Sequence, residues 1–580
     1  MRIRPARVGE TALLNDLVMR SKAYWGYDEE FLAACRDELT IDAGDVTAGR
    51  VVVAEDGHGV RGVASLQGCA PEGELGLLFV DPEAIGTGVG RALYRHVLAM
   101  ARELGFTRLR IEADPNAAPF YRATGARPAG TAPSGSVPGR ALPVLEVALP
   151  VARGGWLDAW TGGRRAAHLG NVAEFQAQWG DPSEEARRAG SHYACLAAFA
   201  SPDPAVLVLP RPVPRAWVEL NAAQLAWDRV VVYDGLDDRA GLVAAVLARP
   251  ALATHLRDSG LALLPWGRTR AFGRLTGEDL PSAALRYESK RAAHEVFVRL
   301  APAHPRIAVP AQWPVPNRWA AARSVRARAR RGHATIVKTE HGAGGSGTWL
   351  VDGHRVRLPR GPLLLEEVVL AGTPRDVTYD GVIGPGGEVH DVGVAVMDVK
   401  GTAYRGATVG PGVVPDPLAE TASRFGHAVG GEIGATGYRG WFDVDFVTGG
   451  DGRLAPTEIN LRLTGPSAAF MIKARLDRIR GGDHVVRTVD QVPLGARLPD
   501  DELIALLRRL CRRCAENGTV LVPTIPTAAY EPAPYLGVAL AAHAIDGLDA
   551  AEALVRDAAL DVGRMFSPPD GSAAPRRSSR

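Results

Sequence analysis

One stretch constrains the chain more than any other: GWFDVDFVTGGDGRLAPTEINLRLTGPS, residues 440–467. A β-like apolar run carries Asp445 into the hairpin turn TGGDG, and Glu458 and Asn460 stand on the returning strand. Positions i and i+2 of a strand share a face, so Glu458 and Asn460 point the same way, and pairing across the turn brings Asp445 beside them. Two carboxylates and an amide oxygen on one face form a hard oxygen cluster suited to Mg²⁺. The alternative is an exposed acidic hairpin, but acids set in otherwise apolar strands favour the metal reading.

A chain of 580 residues is too long for one hydrophobic core, so two or three domains are expected. The net charge of +2 makes no electrostatic case for nucleic acid or for a membrane surface. The first ten residues lack the apolar core of a signal peptide, and no stretch approaches the ~20 apolar residues of a membrane span. A cytoplasmic enzyme with small-molecule substrates is expected. Cys511 and Cys514 could suggest a metal or redox pair, but no second pair completes a site; two small half-buried side chains on a helix are the simpler reading. Among 67 basic residues only Lys22, Lys290, Lys338, Lys400 and Lys473 are lysines. Where arginine serves most of the surface, a retained lysine points to a need for its compact charge.

Residues 1–150 predict an α/β domain with strands over 50–55, 60–68, 74–80, 108–113 and 141–149, a helix over 91–104, and a loop at RPAGTAPSGSVPG. Residues 151–285 alternate helices with short apolar strands at 205–210, 229–234 and 261–266, a small parallel α/β layer. Residues 286–480 mix strands, hairpins and glycine loops, residues 481–565 carry two helical stretches around GTVLVP, and 566–580 predict a disordered tail.

Three pieces precede the hairpin. Lys290 opens a helix in YESKRAAHEVF. Lys338 ends a β-rich run before the loop GAGGSG, whose Gly342, Gly344, Gly345, Ser346 and Gly347 can bring backbone N–H groups to phosphate oxygens. The loop lacks the Lys-Ser/Thr of a Walker motif. The strand PLLLEEVV ends in Glu366 and Glu367 and leads into AGTPRD, a possible nucleotide hinge or simply two exposed strand-end acids.

Taken together, these pieces resemble the ATP-grasp superfamily. The resemblance implies an α/β and α+β multidomain architecture in which a pre-ATP-grasp layer leads into an ATP-grasp fold. It implies that Lys290 and Lys338 bind ATP phosphates beneath a glycine lid, and that Glu366, Glu367, Val369 and Asp376 hold adenine and ribose. It further implies that Asp445, Glu458 and Asn460 hold Mg²⁺ and that Arg462 contacts the carboxylate or acyl phosphate. Asp443 stands where the family commonly has arginine, which leaves Arg439 and Arg405 as candidates for the transferred phosphate. HLGN (168–171), TEINLRLTGPS and the segment GTVLVPTIPT…LGVALAAHAIDG are similar to the pheganomycin-type peptide ligases. That group joins a carboxylate to the amine of an amino acid or peptide in natural-product biosynthesis. Acyl loading of a carrier-protein thiol is the alternative.

FVDPEAIGTGVGRALYRHVLAMARELGF resembles the coenzyme A motif of GNAT acetyltransferases. That resemblance implies a GNAT fold at the N-terminus and acetyl-CoA as cofactor, its pyrophosphate received by the turn of Val80, Gly86, Gly88, Val89 and Gly90 at a helix N-terminus. In DPNAAPFYRATGARP, Asn116 matches the usual Asn, and Tyr121 matches the general acid toward the leaving thiolate. Glu74 is the candidate base, with a solvated strand acid as the alternative; Trp25 and Tyr27 line the acceptor site or the core. Ile85 replaces the family's Arg or Gln, so a non-catalytic binding module is the competing reading.

Overall fold

The computed structural model describes residues 2–565 apart from 42, 48–49, 70–71, 104–105, 107, 150–153, 181–182, 282, 343–346, 353–357 and 370. The expected disordered tail, 566–580, and the lid residues Gly344, Gly345 and Ser346 lie outside the described residues. The chain forms two compact units, Met1–Gly154 with Asp477–Asp483, and Gly155–Leu476 with His484–Arg580.

The first unit holds one seven-stranded sheet: β1 (Arg2–Pro5), β2 (Val51–Asp56), β3 (Gly59–Cys69), β4 (Glu72–Val80), β5 (Arg108–Glu112), β6 (Arg127–Pro133) and β7 (Ala141–Ala148). Their order is β1-β2-β3-β4-β5-β7-β6. Strand alternation divides the apolar residues between two cores. Val51 and Val53 pack with Leu14, Leu17 and Val18 of the helix Thr11–Ala23, while Val52 and Ala54 pack with Leu93, Tyr94 and Val97 of the helix Val89–Glu103. RPAGTAP, expected as loop, is the edge strand β6. An edge tolerates prolines because the missing N–H faces away from the ladder, and the register shift between Pro128 and Gly130 absorbs the irregularity.

The second unit begins with a parallel sheet ordered β10-β9-β8-β11, from β8 (Ala166–Leu169), β9 (Pro204–Val208), β10 (Val231–Tyr233) and β11 (Ala262–Pro265). β9 is buried along its whole length, as expected of a strand covered on both faces. β8 was not expected: four residues are too short to show a period. A second sheet, β12-β15-β13-β14, joins β12 (Gln312–Val315), β13 (Thr335–Lys338), β14 (Thr348–Val351) and β15 (Leu363–Glu367). The third sheet is built from β16 (Ala371–Ile383), β17 (Val389–Lys400), β18 (Ala403–Val409), β19 (Gly440–Gly449), β20 (Leu454–Asn460), β21 (Val485–Pro493), β22 (Val520–Ile525) and β23 (Tyr535–Ala542). Its order is β20-β19-β16-β17-β18-β21-β23-β22.

One face of this sheet buries Val377, Tyr379, Phe442, Val444, Phe446 and Ile459 together with Phe425 and Val429 of the helix Asp416–Ala435. Gly426 permits the close approach: a Cβ there would lie 2.1 Å from the Tyr379 ring. The pleat then sends Thr378, Asp380, Asp443, Asp445, Glu458 and Asn460 to the opposite face. Among the described residues no helix is long and apolar enough to cross a membrane.

Candidate active sites

In the second unit the polar face is assembled by register. Asp445 stands opposite both Thr378 and Glu458, and Asp443 opposite both Asp380 and Asn460. The Asn460 amide donates to Asp443 Oδ1 at 2.6 Å and to Asp445 Oδ2 at 3.2 Å. Asp445 Oδ1 is buried with no hydrogen-bond partner. Burial, then the neighbouring Asp443 and Glu458, push the Asp445 carboxyl well above its ordinary range. Burial and Asp380 do the same to Asp443. Glu458 behaves oppositely: burial would raise it, but Lys290, Lys338 and Arg462 hold it at about 2. An orphaned oxygen on a crowded acid face is the feature a divalent cation would satisfy, with Asp445, Glu458 and Asn460 as its ligands. Among the described residues no three His, Cys, Asp or Glu side chains form a cation cage, so such an ion would complete its shell from outside this set.

Both lysines are buried and paired. Ser289 caps the helix Lys290–Leu300, and Lys290 shares its buried face with Ala293, Val296 and Phe297, one or two turns on. Lys290 Nζ lies 2.9 Å from Glu458 Oε2. Lys338, the last residue of β13, donates to Glu366 Oε1 at 2.6 Å and to the Thr457 carbonyl at 3.3 Å. Gln312 holds the other Glu366 oxygen at 2.8 Å. Glu366, expected at the nucleotide, is therefore occupied by the lysine; Glu367 is exposed at the strand end, and Val369 is half-buried just beyond it. Asp376 lies on β16, half-buried, its carboxyl raised chiefly by burial. β13 and β14 form the expected hairpin, Gly342 lies at its start, and Gly347 turns at φ +81° where a side chain would strike Thr339.

Arg462 is clamped by Glu288 through its Nη1, at 2.8 and 2.9 Å, and stacks over Phe175 at 5.7 Å. Gly267, held by Asn171 of HLGN at 2.9 Å, bridges to Arg462. Of the two spare arginines, Arg439 donates to the carbonyls of Pro385, Gly434 and Tyr438, and Arg405 donates through Nη1 to Gln491. Glu288 and Asp380 were missed from sequence. Asp380 was detectable, since Asp376, Thr378 and Asp380 alternate with Val377 and Tyr379. Cys511 and Cys514 are buried on the helix Asp500–Glu516, where burial raises their thiols to about 12 and 11.

In the first unit β4 and β5 pair in parallel only over Glu72–Glu74 and Arg108–Arg110; β4 runs on to Val80 unpaired with β5, so the two strands splay. The splay opens a cavity of about 710 Å³ lined by Glu74, Val80, Gly86, Gly88, Gly90, Asn116 and Tyr121. Gly86 and Gly88 turn at φ +83° and +95°, delivering the chain to the N-terminus of the helix Val89–Glu103. Val89 faces the core, which leaves only its backbone for a ligand. Tyr121 is buried, and burial pushes its hydroxyl well above the usual tyrosine value, so it holds its proton. Glu74 is exposed on the cavity rim. Trp25 lines the cavity, whereas Tyr27 accepts from Arg140 at 2.8 Å and donates to Asp114, which also pairs with Lys22 at 2.7 Å.

Residues 16–126 match the Acetyltransferase (GNAT) family. This stretch is a GNAT domain. A GCN5-related N-acetyltransferase from Rhodopseudomonas palustris is 22% identical over 25% of this chain and 94% of its own, with a TM-score of 0.22. An N5-carboxyaminoimidazole ribonucleotide synthetase from Thermus thermophilus is 18% identical over 63% of this chain and 92% of its own, with a TM-score of 0.38. An N5-carboxyaminoimidazole synthase from Aspergillus clavatus, in complex with ADP, is 14% identical over 63% and 100%, at 0.39. No curated protein matches the chain.

Proposed function

We propose that the second unit is an ATP-dependent carboxylate–amine ligase of the ATP-grasp type, and that the GNAT domain transfers an acetyl group from acetyl-CoA. The observation that carries the ligase reading is the Asp445–Glu458–Asn460 face, with an orphaned carboxylate oxygen and two buried lysines beside it. Mg²⁺ held by Asp445, Glu458 and Asn460 would neutralise polyphosphate charge. Lys290 and Lys338 already lie in the site with their charges desolvated, so exchange of a carboxylate partner for a phosphate keeps each cation paired. Arg462, fixed by Glu288, presents a rigid guanidinium to the substrate carboxylate. The carboxylate attacks the γ-phosphorus of ATP, ADP leaves, and the amine displaces phosphate from the resulting acyl phosphate. The resemblance to pheganomycin-type ligases supports an amino acid or peptide as amine, in natural-product biosynthesis in the cytoplasm.

The GNAT turn offers backbone N–H groups to the pyrophosphate of coenzyme A, and protonated Tyr121 is suited to protonate the departing thiolate. Incubation with ATP, Mg²⁺, hydroxylamine and a panel of carboxylic acids is expected to give a hydroxamate and ADP with at least one acid. Release of AMP and pyrophosphate would overturn the acyl-phosphate route, and acyl transfer to a carrier-protein thiol but to no amine would favour carrier loading.

A further inference from the structure

Lys22 and Arg140 line the GNAT cavity but belong neither to its glycine turn nor to the proton transfer of Tyr121. Both meet one carboxylate: Lys22 Nζ lies 2.7 Å from Asp114 Oδ2, and Arg140 Nη2 lies 3.4 Å from the same oxygen. Two cations thus share one anion, and the two cationic side chains are only 10% and 18% exposed. Of the cavity's other acids, Glu112 pairs with Arg110 at 2.8 Å, Glu38 accepts from the Ser136 hydroxyl, and Glu74 stays on the exposed rim. Arg140 is held firmly. It ends the loop between β6 and β7, where its carbonyl accepts from the Ser134 N–H at 2.8 Å. Its guanidinium stacks over Phe31 at 4.6 Å and over Tyr27 at 5.0 Å, and those two rings stack on each other. Among the described residues its side-chain hydrogen bonds, to Tyr27 and Asp114, both leave from Nη2, so the Nε–Nη1 edge is unused there. The cluster adjoins the reacting end of the cavity: the Asn116 amide donates to the Tyr27 hydroxyl at 3.4 Å, and Asn116 and Tyr121 line the same space.

A desolvated positive charge in excess calls for an anion. A planar guanidinium fixed against two rings, with one edge unused, is a fork that fits the two oxygens of a carboxylate. We propose that the acetyl acceptor is a small amino acid, its carboxylate held by Arg140 and Lys22 and its amino group turned toward the thioester. This inference rests on the acetyl-transfer reading. The cavity of about 710 Å³ must also take the pantetheine arm, which suits an acceptor of this size. The ammonium of the amino acid gives one proton to Glu74 on the rim, which passes it to solvent. The freed amine forms the C–N bond at the acetyl carbon and the C–S bond breaks. Tyr121 protonates the departing thiolate and takes the second proton from nitrogen in return. An amine without a carboxylate leaves the cation pair short of its anion, so the site discriminates against it.

The test uses the full chain with acetyl-CoA and follows release of the coenzyme A thiol. The acceptors are the twenty L-amino acids, β-alanine and γ-aminobutyrate, with phenethylamine and spermidine as amines that carry no carboxylate. Each active amino acid is then compared with its carboxamide. The expected result is that at least one amino acid is acetylated, with kcat/KM about 30-fold above its carboxamide. In Arg140→Gln, KM for the amino acid rises, and kcat/KM falls about 10-fold further for the amino acid than for the carboxamide. Arg140→Lys keeps a charge beside Asp114 and loses the fork, so it shows the same selective loss at smaller size, and it serves if the first variant does not fold. Equal rates with amino acid and carboxamide, or equal losses on both in the variants, overturn the inference. So does a wild type that acetylates phenethylamine or spermidine but no amino acid. A wild type that acetylates nothing in the panel overturns the acetyl-transfer reading and this inference with it.

Discussion

The two candidate sites are built in opposite ways for the polyanions we propose they receive. The GNAT cavity is an open splay, and what it offers a pyrophosphate is backbone: a glycine turn and a helix N-terminus. The acid face of the second unit offers side chains, and each of its cations is held by a carboxylate, Lys290 by Glu458, Lys338 by Glu366 and Arg462 by Glu288. A backbone site leaves no charge to store, so it can stand open to solvent. A side-chain site must keep buried charges compensated in the absence of ligand, because an unpaired buried ion costs several kcal/mol. The first kind of site should therefore tolerate single substitutions, and the second should not.

The largest expected effect is at the charge-paired site. Glu458→Gln keeps the shape but removes the charge that holds Lys290, and carboxylate-dependent ADP release should fall by about 10³-fold, roughly 4 kcal/mol in the barrier. Acetyl transfer should be unchanged. Ligation at the wild-type rate by the folded variant would show that charge compensation is not what builds this site.

Next is the proposed general acid of the GNAT domain. Tyr121→Phe should slow acetyl transfer by about 10²-fold without altering coenzyme A affinity in calorimetry or ADP release by the second unit. A loss of ligation in this variant would break the separation of the two sites into independent catalysts.

A smaller effect concerns stability and pH. The folded-state carboxyl of Asp490 lies near 7, while in the unfolded chain it ionises near 3.8, so stability is lost as pH rises from about 4 to 7. Asp490→Asn removes that loss and should raise Tm by about 2–4 °C at pH 8 and not at pH 4. A difference of the same size at both pH values would show that the side chain is not protonated in the fold.

The smallest effect sharpens the backbone side of the comparison. Ile85→Arg adds one half-exposed cation beside a site built of N–H groups, and should tighten coenzyme A by about threefold, roughly 0.6 kcal/mol, at low salt only. A gain of 100-fold would mean that the turn depends on side-chain charge after all.

The sequence by itself determined which faces meet. In FDVDF and EINLR every second residue is large and apolar, so once those positions pack on a helix the pleat leaves Asp443, Asp445, Glu458 and Asn460 together on the other side. The glycines of GTGVG likewise announce a tight turn before a helix whatever surrounds it. Tertiary structure alone decided the partners. Lys338 meets Glu366, 28 residues away, Arg462 meets Glu288 across 174, and Asp380 joins the acids only because β16 lies beside β19. It also decided that RPAGTAP is a strand, since an edge accepts prolines that a central strand would reject. Asp490 was the least legible of all: it is buried where the pairing of β21 with β23 bulges, and no local pattern announces it. Local periodicity encodes direction within one element; which buried charges end up compensated depends on the neighbours that the sheet order supplies, and those lie far away in the chain.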